Sequence, residues 1–108
     1  MIEPFEIDPS SLKERLASAE PPVVLDVREP WEIGICALPG ILAIPLGELV
    51  VRVVEVPPDR PVAVMCHHGS RSAQATAWLR QQGFERVMNV AGGIDAWSRR
   101  VDPAVPRY

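Results

Sequence analysis

Short apolar runs recur along this chain and are separated by polar or amphipathic stretches. Residues 23–27, 41–45, 61–65 and 86–90 form four mainly apolar runs. Continuous runs of this length are typical of parallel strands covered on both faces. Phe5-Glu6-Ile7 adds a shorter run that predicts an edge strand near the start of the chain.

Helix-favouring segments lie between these runs. The strongest covers Ala73 to Gln82, with Ser72 as the expected N-cap and Gly83 in the position of a C-cap. Further helices are expected over residues 11–17, 46–54 and 94–99. Residues 28–32 are expected to leave the preceding strand at the carboxyl edge of the sheet, and residues 33–38 form an apolar stretch with Gly34 inside. Strands alternating with helices predict an α/β domain with a mainly parallel sheet and helices on both faces.

Composition narrows the class of protein. A length of 108 residues predicts one domain over residues 1–108, with residues 101–108 as an extended C-terminal tail. The net charge of -3 gives no general attraction to nucleic acid or to an anionic membrane. The chain has neither the start of a signal peptide nor a run long enough to span a bilayer, so a reducing cytoplasm is the expected location. Neither a disulfide framework nor a metal-ligand cluster is expected from two dissimilar cysteines.

One stretch carries the candidate chemistry. Cys66-His67-His68-Gly69-Ser70-Arg71-Ser72 joins a predicted buried strand to the strongest predicted helix. A cysteine before a helix meets its free N–H groups and positive dipole end, which favour the thiolate and predict a nucleophile. Gly69 and the small serines suit a loop whose N–H groups turn inward to hold an anion. Arg71 adds a guanidinium that matches tetrahedral oxyanions.

Three segments together resemble the rhodanese (thiosulfate sulfurtransferase) domain family. They are Leu25-Asp26-Val27-Arg28-Glu29-Pro30-Trp31-Glu32 with Pro39-Gly40 downstream, the Cys66–Ser72 loop, and Asn89-Val90-Ala91-Gly92-Gly93-Ile94-Asp95-Ala96-Trp97. The likeness covers nearly the whole chain, and the order and spacing make it specific. It implies a five-stranded, mainly parallel sheet flanked by helices.

The resemblance also implies roles for individual residues. Cys66 matches the cysteine that carries sulfur as a persulfide, and His67, His68, Gly69, Ser70, Arg71 and Ser72 match the loop around the bound sulfur. Asp26 and Arg28 match a strand-end pair that supports the loop. Cys36-Ala37 stands where many relatives have Gly-His, so a second-shell histidine is not expected here.

The resulting prediction is a sulfurtransferase that works without a metal or organic cofactor. Cys66 would take a sulfane sulfur from thiosulfate, a persulfide or a polysulfide and pass it to a thiol, cyanide or a protein acceptor. Small sulfur-containing anions and sulfur acceptors are therefore the expected partners. One alternative is a cysteine phosphatase or arsenate reductase; related phosphatases resemble Cys-x5-Arg, whereas Cys66 and Arg71 enclose four residues. A non-catalytic docking or sensing module is the other alternative.

Several neighbouring side chains have simpler expected roles. The imidazoles of His67 and His68 are expected to be solvated, with only their backbone N–H groups contributing. Cys36 is expected to be a small core residue and not a resolving thiol. Trp31 is placed where it could form a wall of the site entrance.

Overall fold

The computed structural model describes residues 2–108. The strands are β1 (Glu6–Ile7), β2 (Val23–Asp26), β3 (Leu42–Ala43), β4 (Val62–Met65) and β5 (Val87–Val90). The helices are α1 (Pro9–Leu16), α2 (Pro30–Ile35), α3 (Leu49–Arg52), α4 (Ser70–Gln81) and α5 (Gly93–Arg100).

The strands form one sheet in the order β1-β5-β4-β2-β3, and every neighbouring pair is parallel. This confirms the predicted five-stranded sheet and the edge position of β1. Asp26 is opposite Met65 in the register of β2 and β4. The segments that follow these two strands therefore leave the sheet side by side at its carboxyl edge, where open α/β sheets bind ligands.

Alternate residues of β4 supply two separate cores, one on each face of the sheet. Ala63 and Met65 pack with α1 and α5 residues, whereas Val62 and Val64 pack with residues of α3 and α4. Both faces are therefore covered by helices, which explains why the strands read as continuous apolar runs.

Helix α2 was not predicted from the sequence. Glu29 is its N-cap, Pro30 occupies its first turn, and the side chains of Glu29 and Glu32 form a capping box with the backbone. These interactions stabilise the N-terminal turn of a helix that is too short to show a periodic pattern. The predicted helix at 46–54 is likewise interrupted: α3 is flanked by 3-10 turns at Leu46–Glu48 and Val53–Glu55.

The expected N-cap of α4 is also wrong by three residues. The helix begins at Ser70 and its N-cap is Gly69, whose φ of 106° is left-handed. Ser72 therefore lies inside the first turn, which leaves its N–H group free to face the loop.

The tail leaves α5 at Arg100 and contains no helix or strand from residue 102 to residue 108. It turns back across the molecule, and Val101, Val105 and Tyr108 pack against the core on the α1 and α5 face. Within residues 2–108, no helix has the length and apolar character needed to cross a membrane.

Candidate active site

Cys66 follows β4 directly, and its sulfur is the centre of the loop. The Sγ atom accepts hydrogen bonds from the N–H groups of Gly69 at 3.1 Å and Ser72 at 3.3 Å. The Ser72 hydroxyl lies 3.3 Å from the same sulfur. The side chain is oriented inward, and only 1% of the residue is exposed. Two N–H donors, together with a hydroxyl that is able to donate, form a site that favours negative charge on the sulfur.

The backbone of Gly69 makes this loop possible. Its positive φ turns the chain into α4, and a Cβ atom there would lie 3.2 Å from the Gly92 nitrogen. The twelve-residue helix α4 then begins immediately, so the positive end of its dipole adjoins the sulfur. The sequence predicted this strand–loop–helix arrangement correctly.

The carbonyl groups of the loop are bonded on its other side. The N–H groups of Ile94 and Asp95 donate to the carbonyl oxygens of Cys66 at 2.9 Å and His67 at 3.1 Å. Gly93 must be a glycine, because a Cβ atom there would lie under 3.0 Å from both of these oxygens. We did not predict this contact from the sequence, although the Gly92-Gly93 pair next to a helix start was the available signal.

The Arg71 guanidinium is paired with a carboxylate. Its Nη1 and Nη2 atoms donate to Glu32 Oε2 at 2.7 Å and Oε1 at 2.8 Å. The hydrogen bonds from Arg71 hold the pKa of Glu32 at about 2, although burial of the carboxylate acts in the opposite direction. The guanidinium group that was expected to bind an anion is thus bound to Glu32. Arg71 is therefore fixed in place at the edge of the loop.

Asp26 and Arg28 form a fully buried ion pair at the end of β2. Arg28 Nη2 lies 2.8 Å from Asp26 Oδ2, and both side chains have 0% exposure. Arg28 also donates to the carbonyl oxygen of Cys36 at 2.8 Å and to the Tyr108 hydroxyl at 3.1 Å. The pair therefore links β2, the end of α2 and the C-terminal tail.

Tyr108 is a site residue that the sequence did not reveal. Its hydroxyl donates to Glu32 Oε1 at 2.8 Å, and its ring stacks on the His67 ring with centroids 3.8 Å apart. A single tyrosine after a proline-containing tail has no sequence signal for such a contact, because Glu32 lies 76 residues away along the chain.

The two histidines differ in their surroundings. His68 is exposed, as expected, but the prediction is wrong for His67, which is half-buried between the rings of His68 and Tyr108. Burial and the neighbouring His68 lower the pKa of His67. Cys36 is buried and unpaired, as a core residue would be.

His67, His68 and Asp95 are close enough to be considered as metal ligands. One potential ligand atom of each lies within 4.8 Å of the others. The two rings are stacked, however, and the Asp95 oxygens accept from Arg99 at 3.0 Å and Arg107 at 2.8 Å. These arginines compete with a cation for the carboxylate, so the group does not have the character of a metal site.

These features define a class of α/β protein in which a parallel sheet carries a cysteine loop at its carboxyl edge. Residues 8–100 match the model of the Rhodanese-like domain family. The chain belongs to this family.

Individual relatives agree with this assignment. The chain is 45% identical over 100 residues to a "Sulfurtransferase" of Allochromatium vinosum, covering 93% of this chain and 94% of that protein. It is 42% identical over 89 residues to "Rhodanese-like/PpiC domain-containing protein 12, chloroplastic" of Arabidopsis thaliana, covering 79% of this chain and 30% of that protein. A rhodanese-related protein of Thermoplasma volcanium has a similar structure, with a TM-score of 0.85, 33% identity and coverage of 97% of this chain and all of that chain. The relatives support sulfur transfer as the general activity and an enzyme of the rhodanese type.

Proposed function

We propose that Cys66 carries a sulfane sulfur between small anionic donors, such as thiosulfate or a persulfide, and a thiol, cyanide or protein acceptor. The observation that supports this most directly is the set of loop donors, the N–H groups of Gly69 and Ser72, that already bond the Cys66 sulfur. Donors fixed in place before the reaction stabilise the anionic sulfur without having to reorganise.

The reaction has two displacement steps. In the first, the Cys66 thiolate attacks the outer sulfur of thiosulfate, the sulfur–sulfur bond of the donor breaks, and sulfite leaves with the bonding electron pair. In the second, a nucleophile such as cyanide attacks the outer sulfur of the Cys66 persulfide, and the thiolate leaves. Thiosulfate and cyanide thus become sulfite and thiocyanate, with no net redox change. The covalent intermediate divides one transfer into two displacements.

The side chains of the loop have different parts in this proposal. The Ser72 hydroxyl is placed to donate to the sulfur, and the backbone of His67, His68 and Ser70 shapes the loop. Arg71 forms an ion pair with Glu32, so it shapes the edge of the loop and places a positive group there without adding net charge. Asp26 and Arg28 hold the segment that carries Glu32 and are proposed as positioning residues.

The spacing of the loop separates this proposal from a phosphatase. Only four residues lie between Cys66 and Arg71, and the sulfur is already in contact with the loop amides at 3.1 and 3.3 Å. A loop drawn this closely around one sulfur suits a single added sulfur better than a tetrahedral phosphate.

The test is sulfur uptake measured by intact mass. The protein is incubated with thiosulfate, and we expect a gain of one sulfur atom that is lost on addition of cyanide, with thiocyanate released. Cys66→Ser should abolish both the gain and the release. Cys36→Ser is the matched control, because Cys36 is the other buried free thiol, and it should retain both.

Two results would contradict the proposal. Hydrolysis of an aryl phosphate without sulfur uptake would favour the phosphatase alternative. Absence of uptake from thiosulfate, polysulfide and glutathione persulfide alike would favour a docking or sensing module.

A further inference from the structure

The side chain of Tyr108 is held against the reactive loop by two hydrogen bonds and a ring stack. We propose that Tyr108 forms one wall of the entrance to Cys66 and selects sulfur donors by size, favouring small anions over bulky persulfides. The selection among sulfur donors rests on the proposed sulfur transfer. The access of reagents to Cys66 can be tested independently of it.

The tail that presents Tyr108 is fixed along its length. The Ser98 hydroxyl donates to the Val105 carbonyl oxygen at 2.5 Å, and Arg107 Nε donates to Asp95 Oδ1 at 2.8 Å. Pro103 and Pro106 restrict the backbone between these contacts. These hydrogen bonds to α5 therefore fix the position of Tyr108.

The hydroxyl of Tyr108 has both of its hydrogen-bonding functions used at that position. It accepts from Arg28 Nη1 at 3.1 Å and donates to Glu32 Oε1 at 2.8 Å. Arg28 and Glu32 are themselves buried and charged. Moving the hydroxyl away would remove one hydrogen bond from each of these two buried charged groups, which costs free energy.

The ring of Tyr108 is held from two directions. It lies parallel to the His67 ring, at 3.8 Å and an interplanar angle of 6°, and meets the Trp31 ring edge-on at 6.2 Å. His67 is the residue directly after Cys66, while Trp31 is 66% exposed at the surface. The ring therefore contacts the reactive loop through His67 and, in another direction, the exposed Trp31.

Cys66 is itself almost completely buried, and the proposed wall would narrow the approach to its sulfur further. A compact donor such as thiosulfate needs only a narrow opening, whereas a persulfide attached to a peptide must bring its carrier close to the ring. Admitting the larger donor requires displacement of Tyr108 and loss of its bonds to Arg28 and Glu32. Discrimination by size follows from that difference in cost.

Access is tested first, without reference to sulfur chemistry. In a Cys36→Ser background, so that Cys66 is the only thiol, the alkylation of Cys66 by a bulky reagent, N-phenylmaleimide, is followed by intact mass for the parent, Tyr108→Phe and Tyr108→Ala proteins. Tyr108→Phe keeps the ring and removes the hydroxyl, and we expect an increase of less than about fivefold, as for loss of one hydrogen bond. Tyr108→Ala removes the wall, and we expect an increase of about tenfold or more.

Selectivity is tested on the same proteins. The ratio of kcat/KM for glutathione persulfide to kcat/KM for thiosulfate should rise about tenfold in Tyr108→Ala and change little in Tyr108→Phe. We expect the rise to come from a lower KM for the bulky donor, which a general loss of stability would not produce. Urea unfolding midpoints of the three proteins check that the fold is retained.

The outcomes are distinguishable. Equal alkylation rates in all three folded proteins would overturn the inference. Faster alkylation of Tyr108→Ala with an unchanged donor ratio would overturn the size selection. Faster alkylation of Tyr108→Ala, together with no sulfur uptake by the parent from either donor, would support the wall and contradict the proposed function.

Discussion

Gly93 offers a direct test of how the loop around Cys66 is held. It lies at the N-terminus of α5 with a φ of +61°, and a Cβ atom there would be 2.6 Å from the His67 carbonyl oxygen and 2.7 Å from the His67 carbonyl carbon. The Cys66 carbonyl oxygen would be closer still. All three atoms belong to the backbone, so no side chain can rotate away to relieve the contact. Gly93→Ala must therefore separate α5 from the loop.

The expected loss of stability has two parts. A left-handed backbone conformation costs an alanine about 1–2 kcal/mol. Relieving the contact requires a shift of about 0.5–1 Å, which disrupts the hydrogen bonds from Ile94 and Asp95 to the loop carbonyl oxygens. Each of these bonds contributes about 1 kcal/mol. The sum is about 3–4 kcal/mol, a large fraction of the 5–15 kcal/mol that is typical of small domains.

Gly83→Ala is the matched control. Gly83 also has a positive φ, of +99°, but a Cβ atom there meets nothing within 4 Å. It shares the backbone cost of Gly93→Ala without the collision. Urea unfolding followed by tryptophan fluorescence should give a loss of about 1–2 kcal/mol for Gly83→Ala and about 2 kcal/mol more for Gly93→Ala.

Sulfur uptake should separate the two variants further. Gly83→Ala should take up sulfur from thiosulfate as the parent does, whereas Gly93→Ala should do so more slowly under conditions where both are folded. Equal losses of stability in the two variants, with uptake unaffected, would refute the view that α5 holds the loop through the Cys66 and His67 carbonyl groups.

Two further predictions concern the charged residues. Asp26→Asn leaves the buried Arg28 cation without its partner, so it should lower the free energy of unfolding by about 3–5 kcal/mol in urea titrations; Glu48→Gln, at an exposed pair with Arg52, should change it by less than about 1 kcal/mol. The pKa of Glu32 is lowered from 4.5 to about 2 by Arg71, so its stabilising effect is fully present above pH 4.5 and is lost as the pH falls toward 2. Glu32→Gln should flatten the pH dependence of stability in that interval, and an unchanged acid-unfolding profile would contradict the assignment.

The elements that the sequence predicted well are those whose local pattern agrees with their burial. Residues Val62–Met65 are all buried and all apolar, and α4 is rich in helix formers followed by a glycine of positive φ. Periodicity and propensity then lead to the same assignment. The sequence also predicted inward-facing loop N–H groups, and those of Gly69 and Ser72 do face the sulfur, because a strand, a glycine and a helix start come in immediate succession.

The parts that were missed depend on contacts between distant residues. Helix α2 is only six residues long, and its stability comes from capping and from Glu32 reaching Arg71 across 39 residues. The position of Tyr108 depends on where the tail returns to the sheet. No pattern within the tail sequence predicts that position. Pairings of this kind are visible only once the strands have been placed beside one another.

The loop must direct its N–H groups toward the Cys66 sulfur and its carbonyl oxygens away from it. Negative charge on the Cys66 sulfur is favoured by N–H groups and disfavoured by carbonyl oxygens, yet each peptide unit of the loop carries both. The carbonyl oxygens of Cys66 and His67 are bonded by α5, and that of Gly69 accepts from the Asn89 side chain at 3.3 Å. These oxygens are thereby held by partners other than the sulfur, while the N–H groups of Gly69 and Ser72 donate to it. Because Glu32 balances the charge of Arg71, stabilisation of an anionic sulfur rests mainly on these main-chain donors, and hence on the residues of β5 and α5 that keep the carbonyl groups in place.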